Sequence, residues 1–332
     1  MGKAVFAMAV AVLLIAPVAQ AGPYRAPRTA SGQPDLQGVW TNLSLTALER
    51  PKDFQALIVP PAEAAAYDRR HSGTPPPVPG DPVGSVETEW YDGASLARIG
   101  GAARSSWVVD PPDGRLPYSE VGRRSFDAAR ARAGTADNPE VRATNEQCLL
   151  GSAGVSGPPM LNARYNPNYQ FVQTAGTVAL LVEMNHDVRI IRLGDRRHLP
   201  ADVRPWMGDS VGWWEGDTLV VETTNFPPRE SLRGLGGSAH FMSEAAKVTE
   251  RFTRVSPTQI LYAFTVDDPA VFTRPWKGEM ALNAGKGPIY EYACHEGDRS
   301  LAGILAGARV AEGNLRSATA AEARSAPVAG AH

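Results

Sequence analysis

Gln259-Ile260-Leu261-Tyr262-Ala263-Phe264-Thr265-Val266-Asp267-Asp268 alternates strictly, so that Ile260, Tyr262, Phe264 and Val266 share one face. A period of two over this length is the pattern of a strand with one buried side. The neighbouring stretches repeat it. Residues 247–255 alternate too, and Trp213-Trp214-Glu215-Gly216-Asp217 reads as a hairpin leading into a strand over 218–225. Upstream, strands are expected over 176–184 and 188–193, joined by a tight turn at Asn185-His186-Asp187. Downstream they are expected over 272–282 and 289–294. Short turns and no intervening amphipathic helix predict an antiparallel meander, not βαβ units. A meander of about eight strands with one apolar face buries it by curling into a barrel or by packing on another layer. The expected fold class is therefore mainly β, a meander closed into a barrel or half-barrel over 161–310. Trp206, Trp213, Trp214, Phe264, Phe272 and Trp276 supply aromatic area for its core or for an apolar pocket.

Residues 22–160 read differently, as an irregular Pro/Gly-rich region with a first strand and a few short helices. Pro34-Asp35-Leu36-Gln37-Gly38-Val39-Trp40 is a turn running into a strand. Pro60-Pro61-Ala62-Glu63 opens a helix whose far end carries Arg69, Arg70 and His71, a charge order that suits the helix dipole. The Pro-rich run 73–84 predicts an extended connection. Trp107-Val108-Val109 is a short strand stopped by Asp110-Pro111-Pro112-Asp113-Gly114. Residues 119–133 form a basic helix closed by Gly134, and its arginines read as a solvated face. From 311 to 332 large apolar side chains become rare, which predicts a flexible tail.

Lys3 precedes an apolar run over 4–18, and Ala19-Gln20-Ala21 gives the small-x-small order cut by signal peptidase. Residues 1–21 are thus expected to be a signal peptide, with the mature chain starting at Gly22 in the periplasm or outside the cell. The formal net charge of −2 offers no basic stripe for nucleic acid and no polybasic patch for a membrane surface. Only two cysteines occur, Cys148 and Cys294. In an oxidising compartment such a pair is most simply a disulfide.

Several stretches together resemble a large group of exported, functionally uncharacterised bacterial proteins. They include residues 34–40 (PDLQGVW), 108–118 (VVDPPDGRLPY), 183–191 (EMNHDVRII), 214–226 (WEGDTLVVETTNF), 250–255 (ERFTRV) and 290–297 (YEYACHEG). The resemblance spans most of the mature chain and implies export without implying a reaction. Gly38-Val39-Trp40 also resembles the G-x-W first-strand motif of lipocalin-like barrels, which implies a closed β-barrel.

No G-x-S-x-G elbow, P-loop, H-E-x-x-H or C-x-x-C signature is read, and Gly234-Leu235-Gly236-Gly237 lacks the strand-to-helix setting of a phosphate loop. The chemistry-bearing residues lie instead at strand ends. His186 is flanked by Asp187 and followed by Arg189; a carboxylate can orient an imidazole, and a guanidinium can stabilise developing negative charge. His198, His240 and His295 lie in or beside turns. Strand parity places Glu222 on the same face as Val220. On an interior face it would be a desolvated general acid; on the outer face it would pair with Arg251 or another strand neighbour. The catalytic candidates are His186, Asp187, Arg189, His198, Glu222 and His295, with no cofactor and no metal motif. The expectation is an exported enzyme using general acid–base chemistry (a lyase, isomerase or hydrolase) on a small apolar or aromatic molecule. The alternative is a non-catalytic periplasmic carrier of a hydrophobic ligand. Convergence of His186, Asp187, Arg189 and Glu222 in one cavity would favour the enzyme.

Overall fold

The computed structural model describes residues 24–72, 93–234 and 239–325. The expected signal segment, the Pro-rich run 73–84, Leu235-Gly236-Gly237 and the end of the tail lie outside the described residues. The chain opens with β1 (Gly38–Thr41). A small sheet follows from β2 (Ile58–Val59), β3 (Arg98–Ile99) and β4 (Ala102–Arg104), with α1 (Pro61–His71) packed beside it. Next come β5 (Val108–Asp110), α2 (Glu120–Ala133), β6 (Asn168–Gln173), β7 (Thr177–Val182), β8 (Val188–Leu193), β9 (Asp209–Glu215) and β10 (Thr218–Thr224). A two-stranded ribbon of β11 (Leu232–Arg233) and β12 (His240–Phe241) precedes β13 (Lys247–Ser256), β14 (Gln259–Asp267), β15 (Trp276–Ala284) and α3 (Ser300–Ser325).

Nine strands close on themselves in the order β1-β6-β7-β8-β9-β10-β13-β14-β15, with β15 pairing back to β1. The G-V-W segment is the closing strand: Trp40 lies opposite Tyr169 on β6 and Ala284 on β15. β5 covers the other half of the β15 edge. The expected mainly β barrel is the observed one, with one difference in direction. β8 and β9 run parallel, so the sheet is mixed and not a pure meander. A parallel pair needs a crossover, and residues 194–208 supply it by travelling along the outer wall.

The barrel interior is filled by side chains. Ile260, Tyr262, Phe264 and Val266 alternate inward as their spacing requires, and Val178, Leu180, Val182, Phe252 and Trp276 meet them. Phe252 stacks on Tyr262 at 4.8 Å between centroids, and Phe264 meets Trp276 edge-on at 5.6 Å. Gly278 is required here, because a Cβ at that position would lie 2.3 Å from Cζ of Phe264.

One polar group crosses this core. Arg189 and Glu250 are buried at 2% and 0% exposure and pair at 2.9 Å, while the Tyr262 hydroxyl donates to Glu250 at 2.7 Å. The same hydroxyl accepts from the Met160 N–H at 3.0 Å. Met160 belongs to a segment over 151–161 that plugs one end of the barrel with Val155, Met160 and Leu161, all fully buried. The Tyr169 hydroxyl donates to the Val155 carbonyl at 3.1 Å and ties the plug to β6.

Other expectations change in detail. Residues 289–294 form no strand; the segment is held by Tyr290 N–H donating to Glu183 at 3.2 Å and by the disulfide. Residues 168–173 are a strand that the sequence reading did not separate from its surroundings. Where a tail was expected from 311, α3 continues to Ser325, and its Ala, Leu, Glu and Arg content explains the helix. Among the described residues no helix is long and apolar enough to cross a membrane.

Candidate functional site: a cleft over the barrel plug

A cleft of about 700 Å³ lies outside the barrel, over the plug. This falls within the roughly 300–1,000 Å³ of small-molecule sites. Three segments line it: the last turn of α2, residues 140–157, and residues 228–234.

Close packing fixes the first wall. The Ser119 hydroxyl caps α2 by accepting from Gly122 N–H at 2.9 Å and donates to the Val271 carbonyl at 2.9 Å. A Cβ at Gly122 would lie 2.0 Å from that carbonyl, so only glycine lets the helix approach so closely. At the other end, Arg142 donates to Glu146 through two nitrogens at 2.7 and 2.8 Å and to the carbonyl of Thr135 at 2.7 Å. It thereby ties the second wall to the chain leaving α2. The disulfide between Cys148 and Cys294, with Cα atoms 5.7 Å apart, anchors this wall to the segment before α3. Asn185 Nδ2 donates to the Cys148 carbonyl at 3.1 Å and anchors it to the β7–β8 turn.

The floor carries the reactive groups. Ser156 lines the cleft, and its hydroxyl donates to Asp187 Oδ2 at 2.5 Å. The Gly151 N–H donates to both Ser156 Oγ and Asp187 Oδ2, at 3.0 and 3.1 Å. Burial pushes the Asp187 carboxyl above the usual carboxylate range, against the lowering effect of its bonds from Ser156, Gly151 and Asn185. A desolvated carboxylate behind a hydroxyl can accept a proton relayed through that hydroxyl.

The rim is cationic. Arg130, Arg132, Arg142, Arg229 and Arg233 line the cleft against two carboxylates, Glu140 and Glu146. Arg229 donates to Gln147 Oε1 at 2.9 Å and lies over the Trp206 ring. Arg233 donates to the Pro158 carbonyl at 3.1 Å.

The sequence candidates do not converge. Asp187 lies behind the cleft-lining Ser156 and Gly151, but His186 is exposed and its Nδ1 meets the Tyr292 carbonyl at 3.0 Å. Arg189 points into the barrel toward Glu250, away from both. The expected His186-Asp187-Arg189 constellation is thus split three ways: the positive φ of Asn185 and His186 goes with an outward His186, and Arg189 is committed to Glu250.

His198 and Glu222 do meet, on the outer wall. His198 Nδ1 lies 2.8 Å from Asp209 and Nε2 lies 3.3 Å from Glu222, which also pairs with Lys247 at 3.6 Å. Arg251, the partner weighed for Glu222, pairs with Glu215. Asp209 also accepts from Arg192 and from the Leu199 N–H. Burial raises its carboxyl, and the bonds from Leu199, His198 and Arg192 outweigh that and hold it below the usual range. Both imidazole nitrogens are committed, and the cluster staples the 194–208 crossover to β9 and β10. His240 is fully buried against Trp276, and His295 is exposed just after Cys294. Among the described residues no group of three or more His, Cys, Asp or Glu side chains is arranged to hold a metal ion.

Gly208-Asp209-Ser210-Val211-Gly212 does match G-x-S-x-G, the spacing of a nucleophile elbow. Its setting is wrong for one: Ser210 is buried within β9, with no strand-to-helix turn, and its hydroxyl pairs with Thr223 at 2.9 Å. Ser156, Arg142, Arg229 and Arg233 escaped the sequence reading altogether. The available signal was the Gly/Ser-rich stretch 151–157, which alternates small residues where a plug must turn tightly under a cleft.

No protein-family model, curated protein or solved structure matches the chain.

Proposed function

We propose that this is an exported enzyme that performs general acid–base chemistry on a small organic molecule held in the cleft over the barrel plug. The observation that carries the reading is the Ser156-Asp187 pair, a cleft-lining hydroxyl backed by a carboxylate whose affinity for protons is raised by burial. A proton leaving the substrate passes to Ser156 Oγ as the serine's own proton passes to Asp187, and the reverse transfer returns it. That sequence serves a lyase, an isomerase or a hydrolase alike. The packed barrel interior argues for this exterior cleft and against a carrier's apolar cup. The disulfide and the residues 1–21 support export to an oxidising compartment.

The test is a mass-spectrometric comparison of a periplasmic small-molecule extract incubated with the mature protein or with Asp187→Asn. At least one species is expected to be converted by the wild type and left intact by the variant. Conversion at equal rates by both proteins would refute the assignment.

A further inference from the structure

We infer that the cleft selects an organic anion, a carboxylate or phosphate head on a compact apolar body; this rests on the cleft being the functional site. Charge is the first reason. Glu146 is neutralised by its two-nitrogen bond from Arg142, which leaves Glu140 on the lining and Asp187 behind Ser156 against Arg130, Arg132 and Arg229. Among the described residues, Arg130, Arg132 and Arg229 form no ion pair with a carboxylate, so their charge faces the cleft and solvent. Guanidinium groups bind carboxylates and phosphates through paired N–H donors, and more strongly where water is partly excluded.

Position is the second reason. Arg130 and Arg132 come from the last turn of α2, whose carbonyl end would by itself repel an anion. Arg142 donates to the carbonyls of Ala133 and Thr135 there and so offsets that repulsion at the cleft edge. Arg229 enters from the opposite wall, stacked on Trp206 and oriented by Gln147. Arginines from the α2 wall and from the 228–234 wall thus line the same cleft as Ser156. Ala129, Ala133, Val141, Leu150 and Leu232 supply apolar lining that suits an apolar body, beside the polar Thr144, Asn145 and Ser231. A ligand gripped at the rim by its anionic head presents its body to the hydroxyl of Ser156. The volume suits a small molecule.

Isothermal titration of the mature protein with benzoate, phenyl phosphate, inorganic phosphate and benzamide tests this. Benzoate or phenyl phosphate is expected to bind saturably, with inorganic phosphate weaker and neutral benzamide silent. The two organic anions distinguish a carboxylate head from a phosphate head. Arg130→Ala/Arg132→Ala, at exposed helix positions that preserve the fold, should weaken the anion about tenfold, and added salt should weaken it further. Asp187→Asn should bind the anion as tightly as the wild type. Anion binding that survives in Asp187→Asn while no conversion is found in the extract assay would leave this inference standing and remove the acid–base reading. No saturable binding of either organic anion, equal binding of benzamide, or indifference to the double substitution would overturn the inference.

Discussion

Asp187 shows how one residue's neighbours decide its role. The sequence pairs it with His186, yet its carboxylate turns to Ser156 and Gly151, because the buried plug offers donors and the exposed turn offers water. As the base of the proposed relay it must be ionised, and burial raises its pKa above 3.8, so activity is expected to climb with pH through a midpoint higher than that value. A pH–rate profile checks the limb, and Asp187→Asn should abolish it. The raised value also means that ionised Asp187 lowers folded stability above its midpoint, and acid relieves that cost. Asp209 behaves in the opposite way. Its carboxyl is depressed below 3.8, so its contribution is complete above that pH and is lost as pH falls through the lower folded value. Urea midpoints measured from about pH 6 to about pH 2.5 should fall for the wild type, and Asp209→Asn should be weaker at neutral pH with a shallower acid loss. Inside the barrel, Glu250→Ala would leave Arg189 charged, buried and without its carboxylate; a loss of about 3–5 kcal/mol is expected in chemical denaturation.

At the scale of elements, what the sequence made legible is what local pattern controls. β14 follows its alternation residue for residue, and α2 starts after Ser119 and stops at Gly134 as its capping residues specify. β8 spans the expected 188–193. What stayed hidden depends on partners distant in the chain. Nothing in 188–193 or 209–215 says that the two strands run parallel; His198, reaching Asp209 and Glu222, and Asn225, donating to the carbonyls of Leu199, Pro200 and Val203, pin the crossover that makes them so. The apolar residues of 289–294 read as a strand, but their backbone meets Glu183 and a disulfide instead of a ladder. Gly122→Ala probes the docking of α2 most sharply. Because the clash is with a backbone carbonyl, the helix must lift from Val271, at about 1–3 kcal/mol of stability. Thermal denaturation should register that loss, and anion binding should weaken with it because Arg130 and Arg132 ride on the same helix.

For the whole molecule, a filled barrel acts as a scaffold and the proposed site lies outside its plugged end. The sequence reading found the barrel and the cysteine pair; it named Asp187, which stands behind the cleft-lining Ser156, and it read Arg130 and Arg132 of the cleft as a solvated face. It could not assemble the cleft, whose walls come from segments about 70–100 residues apart that are tied by Arg229 donating to Gln147 and Arg233 donating to the Pro158 carbonyl. The Cys148–Cys294 disulfide, with a sequence separation of 146, contributes about 4–5 kcal/mol in the chain-entropy picture. The Cys148→Ser/Cys294→Ser pair is therefore expected to lower the denaturation midpoint and loosen residues 140–150. The most direct test of the cleft as the functional site is hydrogen–deuterium exchange of the mature protein with and without saturating benzoate or phenyl phosphate, whichever binds. Slowed exchange confined to 129–157 and 228–234 is the result this account predicts; unchanged exchange there, with protection appearing in the barrel strands β7, β13 and β14, would contradict it.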